Sequence, residues 1–402
     1  MIDLDELREQ LPAYLGRQRW FAGAEPEKVA IEDDEEFGDR LHWVLAEADG
    51  ARYQVFVGHA DAADVPEFLH GHDAAIIGAS QGRLLYDALL DGELSTALLA
   101  RIAPDESVHH VRPMGAEQSN TSLVFDDRIV LKVFRRVHEG SNPDIEVTAK
   151  LGDVRFEHVA VPTAVWTRDE RDLAVVQPYL AGATDGWALA LTSLRDLYAN
   201  DCDDPAECGG DFAAEARRLG EVTASMHLAM AEAFGVEADS PLSVPSTTAP
   251  WSSPTGPALR VHGDYHLGQV VRTDAGWIVL DFEGEPARPL RERVLPSSPL
   301  KDVGGMLRSF DYAQAVALRD RGEEDVERCL PLGKAWEQRN RDTFVAGYLG
   351  TAGIEALLPS DVDAVLAAWE LDKAVYEVQY ERSHRPDWVD IPEAAVARIL
   401  SR

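Results

Sequence analysis

The sequence predicts an α+β protein whose N-terminal half is built mainly on strands and whose C-terminal half is built on helices. Two observations indicate this division. Up to Pro178, apolar and polar residues alternate in short runs, as in segment 128–134. Beyond Asp185, apolar residues recur every three or four positions, as they do from Phe212 to Met230. At 402 residues the chain is long enough for two or three subdomains with substantial cores.

The first elements predict a small N-terminal region rich in strands. Periodic apolar residues favour a helix over 4–15. Two alternating segments, 41–46 and 53–57, flank Asp49-Gly50, a pair typical of tight hairpin turns. A helical stretch over about 84–101 is expected to connect this sheet to a second one.

A second sheet-forming region is predicted between Val111 and Pro178. Its strand 128–134 contains Lys132 within an apolar run and follows a turn of small polar residues. A lysine in this position is suited to bind nucleotide phosphates, and the amides of the turn can cover them. Glu146, near the start of the next helix, is spaced to pair with Lys132; an ordinary surface ion pair is the alternative.

The most informative segment is 261–269, which reads Val-His-Gly-Asp-Tyr-His-Leu-Gly-Gln and is followed by Asp281-Phe-Glu. Phosphoryl transfer needs a carboxylate that orients the acceptor hydroxyl, together with oxygen ligands for Mg²⁺. Asp264 is the predicted catalytic base, and Gln269 and Asp281 are the predicted metal ligands. The alternative is a buried His-Gly-Asp turn without a catalytic role.

Composition excludes several classes of partner. The net charge is −33, so a nucleic acid or an anionic membrane would be repelled. No run reaches eighteen apolar residues, and the N-terminus is acidic, so we expect a cytoplasmic protein. A monomer is the default expectation. Cys202, Cys208 and Cys329 show no Cys-x-x-Cys spacing, so we expect no zinc site. Reduced thiols are the favoured interpretation, and a disulfide between Cys202 and Cys208 is the alternative.

The last long helix is predicted over about 361–383. Steps of three and four residues place a set of polar and aromatic side chains along one face: Lys373, Glu377, Tyr380, Glu381 and His384. An ordinary solvated face is the alternative interpretation.

The catalytic segment resembles the aminoglycoside-phosphotransferase-like kinases, and its longer sequence is similar to the maltokinase branch of that superfamily. Glutamine stands at position 269, where most such enzymes have asparagine. The resemblance extends in order along nearly the whole chain, through the segments 18–23, 113–122, 142–146, 298–312 and 370–377.

This resemblance implies a bilobal protein-kinase-like fold with a β-rich N-terminal cap subdomain. The implied divisions are 1–100 for the cap, 101–182 for the ATP-binding lobe and 183–402 for the helical catalytic and acceptor lobe. The implied activity uses ATP and Mg²⁺ to convert maltose to maltose 1-phosphate for α-glucan synthesis. A glucosamine kinase, or another small-molecule kinase of this type, is the alternative.

Further site residues follow from the position of each segment in such a fold. The expected nucleotide contacts are Gln118, Ser119 and Asn120 in the turn before Lys132, and Gln177, Tyr179 and Leu180 at the hinge. The candidates for the sugar pocket are Tyr376, Glu377, Tyr380, Glu381, Arg385 and Trp388.

Overall fold

The computed structural model of the chain describes residues 2–21, 23, 25–115, 120–199, 204–241, 255–285, 288–319 and 321–401. The chain forms two compact units: a first unit of Met1–Glu146 with Val161–Ala181, and a second unit of Val147–Ala160 with Gly182–Arg402. The predicted division of the N-terminal part near residue 100 stays a prediction.

The first unit begins with α1 (Leu4–Leu15), whose N-terminus is capped by Asp3. An antiparallel sheet follows, in the order β1-β2-β3-β5-β4. The predicted hairpin is confirmed, since β2 pairs with β3 and both Asp49 and Gly50 have positive φ. The strands are β1 (Ala30–Phe37), β2 (Leu41–Ala48), β3 (Ala51–Asp61), β4 (Ile76–Ser80) and β5 (Arg83–Asp87).

The segment predicted as one helix over 84–101 is divided in the structure. Its first residues belong to β5, and helix α2 (Gly92–Ile102) begins only after Asp91. Asp91 Oδ1 accepts hydrogen bonds from the amides of Glu93 and Leu94, which fixes the start of the helix there. The prediction is wrong for 84–90 because pairing with β3 buries Leu85 and Tyr86.

A second antiparallel sheet completes the first unit, in the order β10-β11-β8-β7-β6, while β9 pairs with β3. Leu131 and Val133 point into a buried apolar cluster, so Lys132 lies on the opposite face of its strand. The elements are β6 (Val111–Pro113), β7 (Asn120–Phe125), β8 (Ile129–Phe134), β9 (Arg136–Val137), α3 (Pro143–Asp153), β10 (Ala164–Arg168) and β11 (Arg171–Pro178).

The second unit is mainly helical, and its core includes Phe212, Phe310, Trp336 and Phe344. The helical spacing from Phe212 to Met230 and the helix predicted over 361–383 are confirmed by α5 and α9. The helices are α4 (Gly186–Ala199), α5 (Ala213–Phe234), α6 (Leu290–Arg293), α7 (Leu300–Arg319), α8 (Glu323–Leu349), α9 (Val362–His384) and α10 (Asp390–Leu400).

Two small antiparallel sheets accompany these helices, in the orders β12-β15-β16 and β13-β14. The catalytic segment lies between β14 and β15, and Asp281 follows β16. The strands are β12 (Thr184–Asp185), β13 (Val236–Pro241), β14 (Thr255–Leu259), β15 (Val270–Thr273) and β16 (Gly276–Val279).

Two expectations drawn from composition can be compared with the structure. In the described part of the chain, no helix has the length and apolar character needed to cross a membrane. Cys202 lies outside the described residues, whereas Cys208 is disulfide-bonded, so the expectation of reduced thiols is wrong for Cys208. Cys329 is a buried free cysteine.

Candidate active site

The catalytic loop, residues 261–269, is braced by the imidazole of His262. Its Nε2 lies 2.9 Å from the Leu280 carbonyl and therefore donates to it, while Nδ1 accepts from the Asp264 amide at 3.3 Å. Gly263 has a φ of +88°, which permits the sharp turn before Asp264. His262 thus orients the loop.

A buried aspartate on α7 binds the start of this loop. Asp302 accepts hydrogen bonds from the amides of His262 at 2.8 Å and Gly263 at 2.9 Å, and it contacts His227 Nε2 at 3.1 Å. Burial opposes ionisation of Asp302, but its interactions with His227 and these donors lower its pKa. Asp302 lies in the segment 298–312 that resembles maltokinases, but the sequence assigned it no role.

Helix α7 also approaches the loop too closely to allow a side chain at Gly305. A Cβ atom there would lie 2.6 Å from the Tyr265 carbonyl oxygen. One turn further along, Ser309 Oγ accepts a hydrogen bond from the Leu267 amide at 3.1 Å. The catalytic loop is therefore packed directly on the surface of the helix.

Asp264 forms an ion pair with Lys373 of α9. Lys373 Nζ lies 2.8 Å from Asp264 Oδ1, and the Asp264 side chain is 17% exposed. Burial alone would raise the pKa of Asp264, but the ammonium of Lys373 outweighs it and lowers that pKa. The other oxygen, Oδ2, lies 4.0 Å from His266 Nε2. Burial lowers the pKa of His266, which disfavours its charged form.

Gln269 and Asp281, the predicted metal ligands, lie side by side. Gln269 Nε2 is 3.1 Å from Asp281 Oδ2, and Asp281 adopts a left-handed φ of +61°. Rotating the amide by half a turn brings Gln269 Oε1 to the same place, since the two amide orientations are nearly isosteric. One amide oxygen and one carboxylate then face each other, and this donor set fits Mg²⁺.

Asp264 opens onto a cavity of about 420 Å³ that is formed within the second unit. Its volume lies in the range of small-molecule sites. The structure brings all six residues predicted for the sugar pocket to this cavity: Tyr376, Glu377, Tyr380, Glu381, Arg385 and Trp388.

Sequence analysis missed three further parts of this cavity. Trp187 and Tyr312 add aromatic surface from α4 and α7, and no local pattern marks either of them. Lys373 was predicted on the polar face of α9, four positions before Glu377, but it was not assigned to the pocket.

The carboxylates of the cavity are each paired with a cation of the protein. Glu377 accepts from the buried Arg308 at 2.7 Å. Glu381 receives both Nε and Nη2 of Arg385, at 2.9 and 2.6 Å, and the Tyr312 hydroxyl at 2.6 Å. With Asp264 held by Lys373, the cavity presents aromatic rings and mutually compensated charges.

In the first unit, Lys132 pairs with Asp144, whose Oδ2 lies 3.2 Å from the lysine Nζ. The predicted pair with Glu146 is wrong, since no ion pair joins these two described residues. The Asn142 side chain caps the first turn of α3 and fixes Asp144 there. Glu146 lies two residues further along and is rotated by roughly 200° about the helix axis.

The structure places some of the other residues predicted to contact the nucleotide but does not test those contacts. Gln118 and Ser119 lie outside the described residues, and Asn120 begins β7. At the predicted hinge, the Tyr179 amide donates to the Arg128 carbonyl at 2.8 Å. The contacts proposed for Gln177, Tyr179 and Leu180 therefore stay predictions.

Comparison with known proteins finds relatives along most of the chain. Residues 14–91 match the maltokinase N-terminal cap domain. Glucosamine kinase from Mycolicibacterium smegmatis is 27% identical over 333 residues, which cover 72% of this chain and 79% of that protein. Glucosamine kinase from Streptacidiphilus jiangxiensis is also 27% identical, over 71% of this chain and 72% of the relative.

The same fold is found among solved structures. A glucosamine kinase in complex with glucosamine, ADP and inorganic phosphate aligns with a TM-score of 0.67 at 22% identity, covering 98% of this chain and 99% of that one. The predicted fold class, a kinase-like α+β fold with an N-terminal cap, is thereby confirmed.

Proposed function

Since this chain has the aminoglycoside-phosphotransferase-like kinase fold with a maltokinase-type N-terminal cap domain, we propose that it is an ATP- and Mg²⁺-dependent sugar kinase. The observation that supports this best is the position of Asp264, which opens onto the cavity lined by the predicted acceptor residues. The alternative, an inactive binding module, would have no need of a carboxylate at that place.

In the proposed reaction, Asp264 orients the acceptor hydroxyl and takes its proton. Lys373 occupies Oδ1, so Oδ2 is the oxygen available to the acceptor. A carboxylate with a lowered pKa can serve here, because the proton leaves late in a loosely bonded transition state.

On the donor side, Lys132 would bind the ATP phosphates while Asp144 holds its ammonium. Gln269 and Asp281 would hold Mg²⁺, which neutralises phosphate charge during transfer. Gln118, Ser119 and Asn120 would cover the phosphates, and Gln177, Tyr179 and Leu180 would bind the adenine. We further propose a cytoplasmic monomer.

Maltose is the acceptor that the cavity supports best. The carboxylates of Glu377 and Glu381 in the cavity are already paired with Arg308 and Arg385. The aromatic rings of the cavity provide surface for the apolar faces of a sugar. A neutral acceptor needs no further carboxylate. Transfer to the anomeric hydroxyl would give maltose 1-phosphate, which we propose is used for α-glucan synthesis.

Glucosamine is the second candidate, and the two glucosamine kinases similar over more than two thirds of this chain favour it. The match to the maltokinase cap covers residues 14–91 alone and includes no residue of the cavity. Both contacts from Arg308 reach Glu377 Oε2, so Glu377 Oε1 is the carboxylate oxygen that would accept the amino group.

The test is a coupled assay of ADP release with maltose, glucose, glucosamine and an aminoglycoside as acceptors. The highest kcat/KM should be found with maltose. Preferential turnover of glucosamine would replace maltose with the second candidate. Failure to release ADP with any sugar, by folded protein with Mg²⁺ and ATP, would contradict the sugar kinase function itself.

A further inference from the structure

We propose that Lys373 is a positioning residue that fixes the catalytic loop and the loop after Asp281 to the acceptor helix α9. The inference deepens the proposed function and rests on it. Lys373 Nζ lies 2.8 Å from Asp264 Oδ1 and 3.0 Å from Glu285 Oε1. A single ammonium group thus binds the predicted base and a carboxylate four residues beyond Asp281.

Both side chains of the Lys373–Glu285 ion pair are largely buried. The Lys373 side chain is 15% exposed and that of Glu285 is 2% exposed. Removing one partner would leave a buried charge without compensation, so each group constrains the other. Replacing a whole buried ion pair with apolar residues is often neutral or stabilising, and stability alone is therefore a weak reason to keep these charges.

Helix α9 holds the loop after Asp281 through two adjacent residues. Arg288 pairs with Glu285 and also lies 3.7 Å from Asp372 Oδ2. Lys373, Glu285, Arg288 and Asp372 therefore form a series of three ion pairs that begins and ends on α9. Because Glu285 and Asp281 share one short loop, these ion pairs hold that loop, with the predicted metal ligand Asp281, against α9.

The same helix also provides part of the acceptor cavity. Tyr376 and Glu377 follow Lys373 by three and four positions, on the same face of α9. The Lys373 ammonium lies 4.9 Å from the centre of the Tyr376 ring. A sugar bound against α9 would thus be held by the same helix that orients Asp264. The helix would therefore fix the position of the acceptor hydroxyl relative to Asp264.

The inference is tested with Lys373→Met and Lys373→Arg, and Arg382→Ala serves as the control on the same helix. Arg382 forms an exposed pair with Glu393 and has no place in the cavity. Lys373→Met should lower kcat by roughly 10- to 100-fold, the range found for residues that orient another functional group. KM for ATP should stay within about twofold, and Lys373→Arg should restore part of kcat. A wild-type kcat in Lys373→Met would overturn the inference.

Hydrogen exchange provides a readout that does not depend on activity. Lys373→Met should increase amide exchange in 261–269 and 281–293, whereas Arg382→Ala should not. If Lys373→Met does not fold, Glu285→Gln replaces it, with increased exchange expected in 281–293. Unchanged exchange in both loops would overturn the inference, whether or not the parent protein is an active kinase. A lack of kinase activity in the parent protein would contradict the proposed function and not this inference.

Discussion

Asp302 accepts a hydrogen bond from the amide of Gly263 at 2.9 Å, inside the core of the second unit. Because Asp302 lies on helix α7, the contact holds the residue immediately before the predicted base, Asp264, against that helix. Asp302→Asn should weaken it, because an amide accepts less strongly than a carboxylate and introduces donors beside the loop amides. We expect a loss of about 1–3 kcal/mol in the free energy of unfolding, together with lower kcat.

Urea denaturation of Asp302→Asn and of the control Asp342→Asn measures this effect. Asp342 is exposed, and its side chain accepts a hydrogen bond from the Gln338 side chain one turn earlier on α8. Equal stability of the two variants would mean that Asp302 does not support the loop.

Asp264→Asn should lower kcat by about 10²- to 10⁴-fold, because the acceptor hydroxyl loses its oriented carboxylate. Nucleotide affinity should be retained, since the change lies on the acceptor side of the reaction. Steady-state ADP release and calorimetric titration with ADP measure the two quantities. Asp274→Asn, in the exposed turn between β15 and β16, is the matched control; near-normal turnover by Asp264→Asn would contradict its assignment as base.

The two predicted metal ligands should contribute unequally. Asp281→Ala should abolish the Mg²⁺ dependence of ADP binding, whereas Gln269→Ala should weaken it in part, since a neutral amide oxygen attracts the ion less than a carboxylate. Calorimetry of ADP binding over a range of Mg²⁺ concentrations compares them. No effect at Asp281 would mean that the metal is bound elsewhere.

Arg385→Ala should change the choice of acceptor. The substitution removes the cation paired with Glu381, which then keeps only the Tyr312 hydroxyl among the contacts found in the described residues. We expect KM for maltose to rise by about tenfold, a loss of about 1.4 kcal/mol. The ratio of kcat/KM for glucosamine to that for maltose should rise, because the freed carboxylate attracts an amino group.

Tyr380→Ala is the companion variant, which removes aromatic surface and leaves the charges unchanged. It should raise KM for maltose without increasing the relative preference for glucosamine. KM for ATP should stay unchanged in both variants, with thermal melts as folding controls. If neither variant alters the maltose parameters, these residues do not form the acceptor pocket.

The acidic side of the pH profile should depend on Lys373. The groups facing Asp264 are Lys373, His266 and His262, with Glu285 behind the lysine. Burial opposes the charge of Asp264, yet the ammonium lowers its pKa below the ordinary carboxylate value, so the parent base stays ionised as pH falls. Removing the ammonium raises that pKa. The fall in kcat on acidification should therefore begin at higher pH in Lys373→Met than in Lys373→Arg.

Local sequence patterns predicted much of this site. The loop around Asp264 was identifiable because its residues lie within nine positions. Helix α5 was identifiable because its apolar spacing repeats, and α9 because polar and aromatic residues recur at steps of three and four. The Lys373–Asp264 contact joins residues 109 positions apart, and only the tertiary fold brings them together. The sequence could not decide whether Asp144 or Glu146 pairs with Lys132, because two residues that are two positions apart lie on nearly opposite faces of a helix.

The absence of a side chain at Gly305 has a consequence for enzyme engineering. A library that aims to change acceptor choice can vary Tyr380 or Trp388, where the cavity offers room for new shapes. It should keep position 305 constant, because even alanine would collide with the Tyr265 carbonyl and move the base itself. Such clones would lose turnover for every acceptor and would be discarded in a screen as failures of recognition, although the displaced group is the predicted base.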